Sequence, residues 1–465
     1  MSFGLRVRLS IMMFLQYFVW GIWLPMLAQH LGPNDLKLEG GQIGWIFSVY
    51  GFGSILGPLI MGQLADRYFA TERVLAFSHF VGGLLLIATA YAQTFWPIFL
   101  LLLAYCNLYM PTMALTNSLS FRSLGEANQS YFPSIRVWGT VGWIAAGLFF
   151  AAYMDYKELS FYRSIFEMVG LAGAFDSFLG WWRTSAVPIL ESLFAIPIVG
   201  LPSFKDCLRV AGFFSLVYGL YCLTLPYTPP TPAKESDPID KKSAVLECLE
   251  LMRFRSFAVL ILVSALIGIM LAFYFACENF FLEAIQVKAD QVGAFMTISQ
   301  FAEAAVVLFI PWSVANLGFK RTMLIGMAAW ATRFGLSAVG QPKWLMISTL
   351  MLHGFAFGFF FIVAQMFVDR SASRDIKASA QSLLIFVIYG LGTVAGSAIA
   401  GYTLDYFKTG AGLTAADHDW RGIWMGPFVL TLVCMGLFAL LFREEQIGEI
   451  REDSEPLSEP TVAAH

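Results

Sequence analysis

The chain has 465 residues, 58% of them hydrophobic and only 13% charged, with 44 Phe, 13 Trp and 19 Met. A water-soluble fold could not hide so much apolar surface, whereas a bilayer accepts it at ~20 apolar residues per helix. A formal net charge of -3 excludes a strongly basic nucleic-acid binder. Cys106, Cys207, Cys222, Cys248, Cys277 and Cys434 show neither the close pairing nor the spacing of a disulfide or zinc framework.

Arg6 and Arg8 precede an apolar run from Leu9 to Ala28 that loosely mimics a secretory signal. The run contains Gln16, Trp20, Trp23 and Pro25, is long enough to span and lacks a small-residue cleavage site, so a retained first helix is expected. Hydropathy then predicts spans at 9–29, 42–64, 74–92, 97–119, 133–154 and 209–226. A second set follows at 257–283, 291–315, 321–340, 344–368, 377–404 and 422–442. The expected fold is therefore all-α and integral to the membrane, with twelve transmembrane helices in two six-helix bundles, residues 1–226 and 257–443. Residues 227–256, rich in Pro and then in Lys and Arg, read as a cytoplasmic linker, and the acidic, polar tail 444–465 as disordered.

Positive charges orient such a chain. Arg6/Arg8, Arg67/Arg73, Arg122, the basic linker, Lys320/Arg321 and Arg370/Arg374/Lys377 all fall on one side, while the loops Gln93–Trp96 and Glu283–Asp290 carry little positive charge. Both termini are expected in the cytoplasm, with the protein in an inner (cytoplasmic) or plasma membrane. Residues 155–208 form an unusually long outer connection with Trp181, Trp182, Arg183 and Glu191. Interfacial amphipathic helices are the preferred reading; if one piece crossed the membrane, every later loop would change side.

Gly62-Gln-Leu-Ala-Asp66-Arg67, with Arg73, joins the second and third predicted spans. A glycine permits close packing at a helix end, and an aspartate there can engage a neighbouring helix terminus or a basic residue and so lock one state of a rocking bundle. This stretch resembles the signature loop of the major facilitator superfamily, and Asn316-Leu-Gly318-Phe-Lys320-Arg321 is its degenerate echo in the second half, as an internal repeat would produce.

Arg136 stands in Phe132-Pro-Ser-Ile-Arg-Val-Trp-Gly-Thr140, at the head of a run that stays apolar to Tyr153. A charge within a span costs about 3 kcal/mol or more unless it is paired or faces water, and so marks a pathway. That stretch, together with Tyr109–Asn117, Ile298-Ser-Gln300-Phe-Ala-Glu303, Gln16 to Trp20, His79, Ala329-Trp330 and Arg333-Phe334, is similar to the nucleoside:proton symporter branch of the superfamily. The resemblance implies a substrate cavity built from Arg136, Thr140, Trp143, Gln300, Glu303 and Phe357. It also implies that Ala272 and Phe275 stand where the branch carries amides, that Gly358 stands for an acidic residue, and that His353 stands for a tyrosine.

The residues support part of this independently. Glu303 lies midway along its span, where a carboxylate must be neutralised or paired; it serves either proton coupling or a structural ion pair. Gln300 precedes it by about one turn and shares its face. His353 and Glu278 are further proton-coupling candidates; the alternatives are that His353 bonds a neighbouring helix and that Glu278 snorkels to the outer interface or forms a gate with a basic residue. Asn107, Asn117 and Gln381 line the cavity or join helices, and Arg333 is expected to be structural in a peripheral helix. The glycine runs Gly51–Gly57 and Gly390–Gly396 lack the Gly-Lys-Ser/Thr ending of a phosphate loop and suit close helix contacts.

The expected function is secondary active transport by alternating access with proton symport. The cargo is a small polar solute, by resemblance a nucleoside. Another polar metabolite such as a sugar, or a transport-dead sensor on the same scaffold, is the alternative. No nucleophile–base pair or metal cluster argues for an enzyme, and no cofactor beyond the proton gradient, no nucleic acid and no second subunit is expected.

Overall fold

A computed structural model describes residues 2–58, 61, 68–125, 128, 131–196, 200–229, 251–371, 377–410 and 416–444. The chain is helical nearly throughout. In order, α1 is Phe3–Leu31, α2 Gly40–Gly57, α3 Thr71–Thr89, α4 Phe95–Leu124 and α5 Phe132–Met154. Three short helices follow, α6 Ser160–Met168, α7 Ala172–Ser185 and α8 Val187–Phe194, and α9 is Asp206–Cys222. The second half holds α10 Arg255–Ala284, α11 Val292–Val307, α12 Ile310–Val339, α13 Lys343–Ser371, α14 Ala380–Tyr406 and α15 Trp420–Leu441.

Nine of these helices, among the described residues, are long and apolar enough to cross a membrane. The other three predicted spans are occupied by α2, α9 and α11, of 18, 17 and 16 residues among the described residues. The shortfall at α11 has a local cause. The span predicted at 291–315 breaks after Val307, and its last part is continuous with α12, which kinks at Gly318 (φ 79°, ψ 175°). Only glycine takes that backbone conformation without strain, so the predicted loop at Asn316–Arg321 survives as the kink. The helix restarting at Phe319 is capped by Glu444, whose carboxylate accepts from the backbone N–H of Phe319 (2.8 Å) and Lys320 (3.3 Å).

Small residues bring the helices together. On α5, Gly142 lies against the Phe14 backbone of α1. On α2, Gly44 lies against the backbone of Ser397 and Gly401 of α14, and Gly51 against Gly390 and Val394. The two glycine runs therefore partly pack on one another across the halves; Gly53 and Gly57 of the first run instead face Cys106 and Pro111 of α4. Backbone-to-backbone approach of this kind is the common basis of helix association in lipid, where burying apolar surface gives no advantage.

The long connection at 155–208 forms α6, α7 and α8, of 9, 14 and 8 residues. At 1.5 Å per residue none of the three by itself reaches the ~30 Å of a hydrocarbon core. Phe175 and Leu179 turn inward while Phe178 and Trp181 are exposed. The connection is tied by the Trp182 indole donating to the Tyr156 carbonyl (2.6 Å) and by the Arg163–Asp176 (3.0 Å) and Arg183–Glu158 ion pairs.

Candidate functional site

At one end of the bundle, away from the chain termini, the halves are latched. Asp405 of α14 accepts from the backbone N–H groups of Gly40 (2.7 Å) and Gly41 (2.6 Å), the first residues of α2. Beside it the Trp45 indole donates to the Tyr402 hydroxyl (3.1 Å), and the Asn34 amide donates to Glu283 (3.0 Å). Close to these contacts, a narrow cleft lies between the halves, lined by Leu24, Phe47 and Tyr50 from one and by Ala272, Phe275, Thr393 and Ser397 from the other.

Deeper in the bundle Arg136 is half-buried on α5. Its Nη2 donates to the Tyr17 hydroxyl of α1 (2.6 Å), and its guanidinium stands 4.3 Å from that ring's centroid. Gly139, one turn on, leaves the space in which this arginine and Tyr17 meet. Glu303 faces Arg136 from α11 within electrostatic range, at longer distance than a salt bridge, and its carboxylate bonds to no described residue. Tyr17 and Tyr389 feel the same charge. α13 can approach Glu303 closely because Gly354 packs against its backbone nitrogen.

An aromatic wall connects the two sides. Trp143 stands edge-on to Trp20 (4.9 Å), which stacks on Tyr50 (5.6 Å); Tyr50 meets Tyr389 (6.5 Å), then Phe361 (6.4 Å), then Phe357 (5.2 Å). Thr140 and Gln300 are half-buried on the turns next to Arg136 and Glu303. The residues expected at the site therefore converge on one region between the halves. Tyr17, Tyr50 and Tyr389 were not singled out from the sequence, because a tyrosine in an apolar run gives no sign of which way it points. Gly62, Asp66 and Arg67, expected to form the conformational-switch loop, lie outside the described residues.

Two other readings, both of Glu278, change. Glu278 does not snorkel to the interface; it is buried, with Oε2 2.9 Å from Nη2 of Arg333. The partner lies in the same half, so the pair is no gate between halves. Arg333 is buried, and its Nη1 lies 3.0 Å from Nδ1 of His353. In the first half, Gln16 bonds His79 (3.0 Å) and Thr112 (2.8 Å), and His79 also meets Ser215 (3.2 Å). Both histidines are thus held by neighbouring helices.

The model of the nucleoside H+ symporter family matches residues 3–179 and 178–447. The chain belongs to this family. It is accordingly a membrane transporter and not an enzyme. It is 30% identical over 466 residues to a putative nucleoside transporter, YegT, of Escherichia coli (strain K12), with 97% of each chain covered. It is 29% identical over 463 residues to the xanthosine permease of the same organism, covering 95% of this chain and 97% of that one. The crystal structure of nucleoside transporter NupG superposes with a TM-score of 0.73 at 26% identity, covering 94% of this chain and 99% of that one. The helical architecture is that of the major facilitator transporters, and family membership supports proton-coupled nucleoside transport.

Proposed function

We propose that this chain moves nucleosides with protons by alternating access, around a site formed by Arg136, Thr140 and Trp143 from the first half and Gln300, Glu303 and Phe357 from the second. The observation that carries the reading is the pair of opposed charges, Arg136 steadied by Tyr17 and Glu303 bonded to no described residue. A carboxylate enclosed in a membrane protein favours its neutral form, and a facing guanidinium favours the anion; a substrate entering between them alters that balance, so substrate and proton are carried together. The aromatic wall supplies flat surfaces for a base, and Arg136, Thr140 and Gln300 supply hydrogen bonds for the sugar and base edges.

The latched end corresponds in this reading to the outer side, with both termini in the cytoplasm, the chain seated in the inner or plasma membrane as a monomer and α6–α8 lying on the outer interface. The gradient is the only energy source required. Labelled uridine and adenosine uptake into proteoliposomes tests the reading. Wild type should accumulate nucleoside when the pH gradient is imposed and merely equilibrate without it. Glu303→Gln should bind nucleoside but respond to the gradient by less than about a tenth. Gradient-driven accumulation by that variant would remove Glu303 from the coupling step, and uptake of sugars in preference to nucleosides would overturn the substrate class.

A further inference from the structure

The second half encloses a charged cluster whose geometry fixes the state of one side chain. Arg333 of α12 is 1% exposed. Its Nη2 lies 2.9 Å from Glu278 Oε2, its Nη1 lies 3.0 Å from His353 Nδ1, and its guanidinium stands 4.7 Å from the Tyr274 ring centroid. A guanidinium offers hydrogen-bond donors only. The histidine nitrogen it faces must therefore be the acceptor, which puts the hydrogen of a neutral ring on Nε2. Protonating Nδ1 would set two N–H groups against each other and place a second cation beside a single carboxylate.

The surroundings of the ring fit that assignment. Tyr274 of α10 stacks on it at 4.0 Å and 22°, Trp330 of α12 stands at 5.6 Å, and Phe357 lies near-parallel at 6.3 Å. The charged group in contact with it is Arg333, with Glu278 behind it; Glu303 of α11 meets the adjoining Gly354 through its backbone nitrogen. Nε2 of this buried ring bonds to no described residue.

We propose that Arg333, neutralised by Glu278, is a positioning residue that holds His353 as a neutral donor, its Nε2–H presented to an acceptor on the substrate, a carbonyl oxygen or unprotonated ring nitrogen of a base. The proposal rests on the reading that the region around Phe357 belongs to the substrate cavity. It takes His353 and Glu278 out of the proton pathway and leaves Glu303 there.

Two measurements on the full-length protein test it. Nitrogen NMR of histidine-labelled protein, with the His353 signal identified by its loss in His353→Gln, should show hydrogen on Nε2 across pH 6–8. A hydrogen on Nδ1, or an imidazolium in that range, overturns the proposal without any transport assay. In proteoliposomes, the double variant Glu278→Gln/Arg333→Met should raise the KM for uridine about tenfold at little changed maximal rate, and should add a titration near neutral pH to the uptake profile. Arg333→Lys, which keeps a donor to Nδ1, should restore most of the affinity. An unchanged KM and pH profile in a folded double variant refutes the role of Arg333. Should that variant fail to fold, the wild-type NMR result still decides. Failure of nucleoside uptake by wild type would instead count against the substrate reading and leave the tautomer result standing.

Discussion

Arg136 illustrates how a costly charge becomes useful when its neighbours constrain it. The Tyr17 hydroxyl accepts from one nitrogen and the Tyr17 ring lies beside the guanidinium, so the arginine has few orientations left. Tyr17→Phe keeps the ring and removes the acceptor. A hydrogen bond to a charged group contributes about 1.5–3 kcal/mol, so the KM for uridine should rise roughly tenfold or more while the amount of folded protein stays the same. Equilibrium binding of labelled uridine in detergent checks this; unchanged affinity would mean that Tyr17 does not hold Arg136 for substrate. Arg136 and Glu303 were legible in the sequence because charge inside an apolar run stands out. Tyr17 was not, because its importance lies in a contact between residues 119 positions apart.

Among the elements, α11 and α13 show how backbone approach sets the site. A Cβ placed at Gly354 would collide with the backbone nitrogen of Glu303, whereas one at Gly426 of α15 would meet nothing within 4 Å. Gly354→Val should therefore destabilise the protein by about 1–3 kcal/mol through overpacking and also displace Glu303, lowering both the thermal midpoint in detergent and nucleoside uptake. Gly426→Ala should change neither. Equal behaviour of the two variants would show that the α11–α13 contact is slack. The glycine runs were visible in the sequence as interface material, but the division of the first between α14 and α4 was not, since spacing alone does not select a partner.

For the whole molecule, the latched end defines which of the alternating states is present. Asp405 satisfies two N–H groups at the start of α2, where a helix terminus leaves donors unpaired and carries partial positive charge. These bonds join opposite halves and must break when that end opens. Asp405→Ala should shift the population toward the open state. Cysteines placed at Trp45 and Tyr402, whose indole and hydroxyl tips meet at 3.1 Å, should be joined by a bifunctional thiol reagent in the parent and at less than about half that yield in the Asp405→Ala background. Equal yields would show that Asp405 does not bias the equilibrium.

Composition and the order of apolar runs were enough to establish a helical membrane protein, because hydrocarbon leaves a spanning chain few other ways to satisfy its backbone; transport was implied by the resemblance of its motifs. The same logic marked Arg136, Glu303, Glu278 and His353, since polar groups in a span are rare enough to be counted one at a time. Partnership was decided by folding. Glu278 was compatible with proton coupling, a gate or the interface until α12 brought Arg333 to 2.9 Å from it. His353 was equally compatible with relay or structure until the same arginine reached its Nδ1. Electrostatic roles depend on distances of a few ångströms between helices far apart in sequence, and only the packed bundle supplies those.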